Sequence, residues 1–144
     1  MSCVLRARGT NFDVDSFLKG SSLEPLTVVH RGEVQFPTST VPQRKKEHSG
    51  MNLSVSTREF SDLKGQIEDA VRFLSDNKEE LERLRRFPGL EQMELDFPIE
   101  QRDVMFQSDA FPHHLLWLLG SLCIGLVVSR YPAHSQTEDQ PATV

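Results

Sequence analysis

The chain has 144 residues and a mass of 16.4 kDa, enough for one domain built around one hydrophobic core. Hydrophobic residues at 38% and charged residues at 26% exclude a fibrous repeat and wholesale disorder. Sixteen Lys and Arg against twenty-one Asp and Glu give a net charge of -5, which counts against sequence-independent nucleic-acid binding, since that needs positive charge clustered against phosphate.

In chain order, Cys3, Leu5 and Ala7 alternate with Val4, Arg6 and Arg8 and predict a first strand ending at Gly9. Asn11 and Asp13 are N-cap candidates for a short helix carrying Phe12, Val14, Phe17 and Leu18. The β-branched stretch Leu26 to His30 predicts a second strand. From Phe36 to Ser49, two prolines and the cluster Arg44-Lys45-Lys46 leave little to bury and predict an exposed loop over 36–49. Met51, Leu53 and Val55 then alternate with polar residues as a third strand.

Ser56 and Glu59 stand at capping-box spacing ahead of Phe60, Leu63, Ile67, Ala70, Val71 and Leu74, which line one face of a helix. The stripe fails near Ser75-Asp76-Asn77, where either the helix bends or a second one carrying Leu81 and Leu84 begins; Pro88-Gly89 ends it. Glu79 with Arg83 and Glu82 with Arg86 are spaced for i,i+4 pairs. Met93, Leu95, Phe97 and Ile99 alternate with Glu94, Asp96, Pro98 and Glu100, a strand with one core face and one acidic face. Pro98 lacks an amide donor and suggests an edge or a bulge. Val104-Met105-Phe106 suggests a further short strand.

The apolar run Leu115 to Val128 is shorter than the roughly 20 residues of a membrane span. It reads as a helix from Pro112 to Leu119, a break around Gly120, and a fully buried central strand from Ile124 to Tyr131. The expected fold is α+β, a mostly antiparallel sheet with helices packed on one face, with ferredoxin-like split βαβ as the nearest topology. One domain over 1–132 and a disordered polar tail over 133–144 complete the reading.

Chemical motifs are absent from the sequence. There is no GxGxxG, Walker or GxSxG pattern, and His30, His48, His113, His114 and His134 form no HExxH. Cys3 and Cys123 are too few and too far apart for a zinc site or disulfide framework. Arg6 and Arg8 interrupt any signal-peptide apolar stretch near the start, so a reducing, cytoplasmic setting is expected. No catalytic, cofactor-binding or metal-binding residue is assigned, and no cofactor. The face carrying Glu94, Asp96 and Glu100 is the candidate partner-binding surface, suited to a basic protein by charge.

The strand and Asp-led helix of Val4 to Leu18, the helix pair before Pro88-Gly89, and the ending Leu115 to Tyr131-Pro132 give the chain a pattern that resembles small bacterial α+β proteins of unknown function, some of them immunity-type proteins found beside toxin genes. That resemblance points to an immunity-type role and carries over no functional residues; the absence of catalytic and cofactor motifs and the acidic strand face set the expectation of a non-enzymatic protein-binding module, with nucleic acid disfavoured by charge and a membrane by the short apolar run. Two alternatives are a small-ligand-binding protein or enzyme with a pocket between helices and sheet, and a tail-anchored membrane protein.

Overall fold

The computed structural model describes residues 3–133; Met1, Ser2 and the polar tail expected to follow, including His134, lie outside them. The elements are β1 (Cys3–Gly9), α1 (Val14–Lys19), β2 (Thr27–Val29), β3 (Ser49–Ser56), α2 (Leu63–Asp76), α3 (Lys78–Arg86), β4 (Gln92–Gln101), α4 (His113–Ser121) and β5 (Gly125–Pro132). They form an α+β fold on one five-stranded sheet in the order β2-β3-β1-β4-β5. Neighbours are antiparallel except β4 and β5, which run parallel. Thus β3 lies between the parallel pair β1 and β2, and β1 between the parallel pair β3 and β4. The ferredoxin-like expectation makes no provision for the fifth strand.

Period-two patterning decides which way each strand faces. Leu5, Ala7, Met51, Leu53, Met93, Leu95, Phe97 and Ile99 are buried on one side, where they meet Ala70, Leu74, Leu81, Leu84, Leu115 and Leu118 from the helices. Each fully buried Leu or Phe contributes about 1.5–3 kcal/mol relative to solvent exposure. At the far end of this core, Phe12, Phe17 and Phe87 meet edge to face, with Phe17 and Phe87 centroids 5.3 Å apart and Arg83 4.0 Å over the Phe17 ring. Arg83 also donates to the Phe17 carbonyl and pairs with Glu80 at 2.7 Å, so the ion pair on α3 is i,i+3 and ties α3 to α1. A close approach fixes the neighbouring turn: a Cβ on Gly9 would lie 1.9 Å from the Gly89 carbonyl oxygen, and Gly89 itself has φ +88.

Asp13 caps α1 by accepting from the Ser16 amide at 3.1 Å. The capping box at Ser56 does not form. Ser56 Oγ donates to Asp69 at 2.8 Å, Asp62 caps α2 by accepting from Gly65 N at 2.9 Å, and Phe60 stays in the turn before the helix. Asn77 separates α2 from α3, its side chain donating to the Phe73 carbonyl at 2.9 Å. Gly120 does not break α4, which continues to Ser121 and reverses at Cys123, a non-glycine residue with φ 54.

The largest correction concerns the last strand. β5 is the outer strand beside β4, not a buried central one: Leu126 and Val128 are 38% and 40% exposed and Tyr131 46%. A parallel neighbour reached through one crossover helix lies outside β4 because β1 occupies the other side. Val127 is consequently half-buried and not at the centre of the core. Pro98 is buried within an interior strand. The last β1 pair is Val4 with Asp96, so no β1 residue asks Pro98 for a donor. Val104-Met105-Phe106 is an exposed loop and not a strand. Among the described residues, no helix is long and apolar enough to cross a membrane.

Phe97→Ala should cost about 3–5 kcal/mol in urea unfolding, whereas Val128→Ala should cost no more than about 1 kcal/mol. Equal losses would place β5 in the core after all. Under limited trypsin digestion the first cut is expected after Arg44 in the exposed loop. Lys46 is held from both sides, donating its amide to Glu33 O and accepting from Gly32 N, each at 2.8 Å. First cleavage at Arg83, Arg85 or Arg86 in α3 would contradict this arrangement.

Candidate functional site

β4 carries Glu94, Asp96 and Glu100 on the sheet face opposite the helices, as alternation from the buried Leu95 and Phe97 requires. They do not form one solvated acidic surface. Asp96 is only 6% exposed, and both of its oxygens are engaged: Arg6 Nη2 donates to Oδ2 at 2.7 Å and Ser129 Oγ donates to Oδ1 at 2.7 Å. Arg6 is on β1 and Ser129 on β5, so this carboxylate links three adjacent strands. Glu94 accepts from Gln92 and lies beside Gly125, while Glu100 stands in register with Tyr131. Both remain half-buried, with carboxylates available at the two ends of β5.

The Cys3 thiol and the Asp69 carboxylate serve the structure, whereas the Cys123 thiol is exposed. Burial, followed by the charges of Asp96 and Asp69, pushes the Cys3 thiol far above its ordinary range and keeps it neutral, unsuited to nucleophilic or metal-ligand roles. The hydrogen bond from Ser56, with help from Arg58, holds Asp69 below the usual carboxylate range. No group of three or more His, Cys, Asp or Glu among the described residues could hold a metal ion. An open cleft of about 470 Å³ between α2 and residues 108–112 is lined by Leu63, Lys64, Ile67, Glu68, Asp109 and Pro112. A second, of about 430 Å³, gathers Arg31, Lys45, Lys46 and His48 beside the 36–49 loop.

What the structure concentrates is exposed apolar surface. Of the eleven large apolar side chains exposed among the described residues, eight fall between Val104 and Tyr131: Val104, Met105, Phe106, Leu116, Trp117, Leu126, Val128 and Tyr131. Their supports are built in. Gln107 closes the base of the 102–109 loop, accepting from Arg102 N at 2.8 Å and donating to Glu100 O at 3.1 Å and to Asp109 at 2.8 Å. Met105 and Phe106 therefore project from a clamped loop, 106% and 83% exposed. On α4, Leu115, Leu118, Leu119 and Leu122 take the buried i,i+3,i+4,i+7 positions, which leaves Leu116 and Trp117 outside. Tyr131 stacks on Phe60 at 5.0 Å.

Sequence reasoning assigned the acidic strand and passed over this rim. The signals were there: an apolar triplet between Arg102-Asp103 and Gln107-Ser108, and a tryptophan out of phase with its helix's apolar stripe.

Asp96→Ala should destabilise the fold by about 1–2 kcal/mol, since it leaves the Ser129 hydroxyl without its acceptor and the half-exposed Arg6 guanidinium to water, while Glu94→Lys should leave the unfolding free energy within about 0.5 kcal/mol of wild type. A neutral Asp96→Ala would mean that the three-strand link is not made in solution. His30 provides a pH test. Its ring nitrogens meet Glu33 and Asp15, each at 2.8 Å, and these hydrogen bonds, Glu33 first, raise its pKa above 6.5. A raised native pKa means stability that is complete below the unfolded value and fades as pH rises through the native one. The NMR titration midpoint of His30 should lie above 6.5 and fall in Glu33→Gln; a midpoint at or below 6.5 in the wild type would contradict the pairing.

Comparison of the chain with protein-family models, curated proteins and solved structures returned no match.

Proposed function

We propose that this chain is a non-enzymatic, cytoplasmic protein-binding module of the immunity type its sequence pattern resembles, and that it engages its partner through the apolar rim formed by the 102–109 loop and α4. The observation that carries the reading is the number of exposed large apolar side chains between Val104 and Tyr131, eight of the eleven among the described residues, with Leu26, Phe36 and Val41 the other three. Exposed large apolar side chains in number are a mark of interaction surfaces on soluble proteins, and aromatic residues and Met are enriched at the centres of such interfaces. Trp117 and Phe106 supply the large contact area that anchors provide, and the Gln107 clamp removes ordering cost from the loop before binding.

The basic character expected of the partner keeps a role at the margin. A protein seated on the 102–109 loop lies beside Glu100, whose carbonyl Gln107 holds at the loop's base, so Lys or Arg on the partner's rim would speed encounter and make the association rate fall with salt. Asp96 takes no part, because its carboxylate is committed to Arg6 and Ser129.

The test is capture from native lysate with the full chain as bait, in parallel with Trp117→Ala, with Met105→Ser combined with Phe106→Ser, and with Glu94→Lys combined with Glu100→Lys. A partner held by wild type should be lost from both apolar variants, at a cost of about 2 kcal/mol or more for the tryptophan, and retained more weakly by the charge-reversed variant. Capture unaffected by the apolar variants and abolished by charge reversal would return the site to the acidic strand.

A further inference from the structure

The two edges of the sheet are treated differently. β2 has three residues, Thr27–Val29, and the chain continues from it into the loop that returns to β3. β5 has eight residues, pairs with β4 without a register shift, has no neighbour on its other side among the described residues, and carries one charge, Arg130, and one proline at its last position. Short length, bulges, interior prolines and rows of lysine are the usual means of blocking an edge strand, and β5 has none of them. Its unpaired main-chain donors and acceptors form a template for another strand.

We infer that β5 pairs antiparallel with β5 of a second copy of this chain about a twofold axis through Val128, joining the two sheets into one with ten strands. This deepens the protein-binding reading by naming a partner for the β5 edge, and it rests on the apolar exposure described there. Self-complementarity picks the occupant and the register. Register with β4 places Leu126, Val128 and Arg130 on the helix face of β5 and Gly125, Val127, Ser129 and Tyr131 on the opposite face. A twofold axis normal to the sheet then sets Val128 against Val128, Val127 against Ser129, Leu126 against Arg130 and Gly125 against Tyr131, always on one face. A Cβ on Gly125 would meet nothing closer than Glu94 Cγ at 3.6 Å, so the strand opposite Tyr131 presents no bulk there, and the Tyr131 ring keeps its stack on Phe60 of its own chain.

Charge agrees with this pairing. β5 has no carboxylate, so the net charge of -5 lies elsewhere on each copy. The Arg130 stem lies along Leu126 of the other copy, and the two Arg130 positions are four residues apart, about 13 Å along the ladder, beyond the screening length of roughly 8 Å at physiological salt. No like charges stand opposite one another. The symmetry is closed and isologous, so pairing stops at two and does not propagate.

Sedimentation equilibrium of the full chain should give about twice the 16.4 kDa monomer mass, with dissociation on dilution. Val128→Lys and Val128→Glu each place two like charges at the axis. Each alone should raise the dimer dissociation constant by roughly tenfold or more with unchanged circular dichroism, and an equimolar mixture should restore the dimer. As a second arm, Val128→Cys with Cys123→Ser should cross-link between copies under mild oxidation, because directly opposed strand residues lie within disulfide reach. A wild-type monomer at every concentration, a dimer indifferent to both charge variants, or no cross-link at position 128 would each overturn the pairing. Loss of the dimer with partner capture intact would dispose of this inference alone; loss of capture with the dimer intact would dispose of the partner-docking rim.

Discussion

The parallel pairing of β5 with β4 is the constraint on which the rest of the molecule turns. A parallel neighbour cannot be reached by a tight hairpin, so the chain has to leave β4, cross the sheet and return. α4 makes the crossing, and its Leu115, Leu118, Leu119 and Leu122 stripe holds it in the core. With β1 already on one side of β4, the returning strand takes the free side and its outer edge stays open. Three local features then follow. Asp96 is enclosed between Arg6 on β1 and Ser129 on β5, Pro98 sits beyond the last β1 pair, and Tyr131 reaches Phe60 at the strand's far end.

Asp96 shows how little a carboxylate's placement on a strand says about its availability. Counted along β4 it belongs with Glu94 and Glu100. In the sheet it has a salt bridge, a hydroxyl donor and almost no solvent, and acts as a polar fastener between antiparallel and parallel halves. Removing one partner from such an arrangement costs more than the arrangement contributes, because a charge or donor is left without compensation. The Asp96 carboxylate is therefore unavailable at the surface, while Leu116, Trp117, Leu126 and Val128 remain uncovered on α4 and β5.

Strands β1, β3 and β4, the helix pair and the exposed 36–49 loop were legible in the sequence because their signals are local: strict alternation at Met93 to Ile99, a three-and-four stripe at Leu63 to Leu74, prolines beside a basic cluster. The start of α2 was misplaced since two capping signals compete there. Ser56 and Glu59 match the box, but Asp69 draws the Ser56 hydroxyl away and Asp62 caps instead. The position of β5 was not legible. Leu126-Val127-Val128 satisfies the same pattern in a buried central strand and in an exposed edge, and only the pairing partner separates the two. For the same reason Glu94, Asp96 and Glu100 were grouped by spacing, whereas the exposed Met105, Phe106 and Trp117 were passed over.

Residue-resolved hydrogen exchange of the β5 amides across a dilution series reads the open edge directly. Main-chain groups of successive strand residues point to opposite sides, so half of the β5 amides face β4 and half face outward. The β4-facing half should be protected at every concentration, and the outward half should gain protection as protein concentration rises. Outward amides that exchange freely even in concentrated protein would contradict the account, and would leave β5 as an edge that this chain simply exposes.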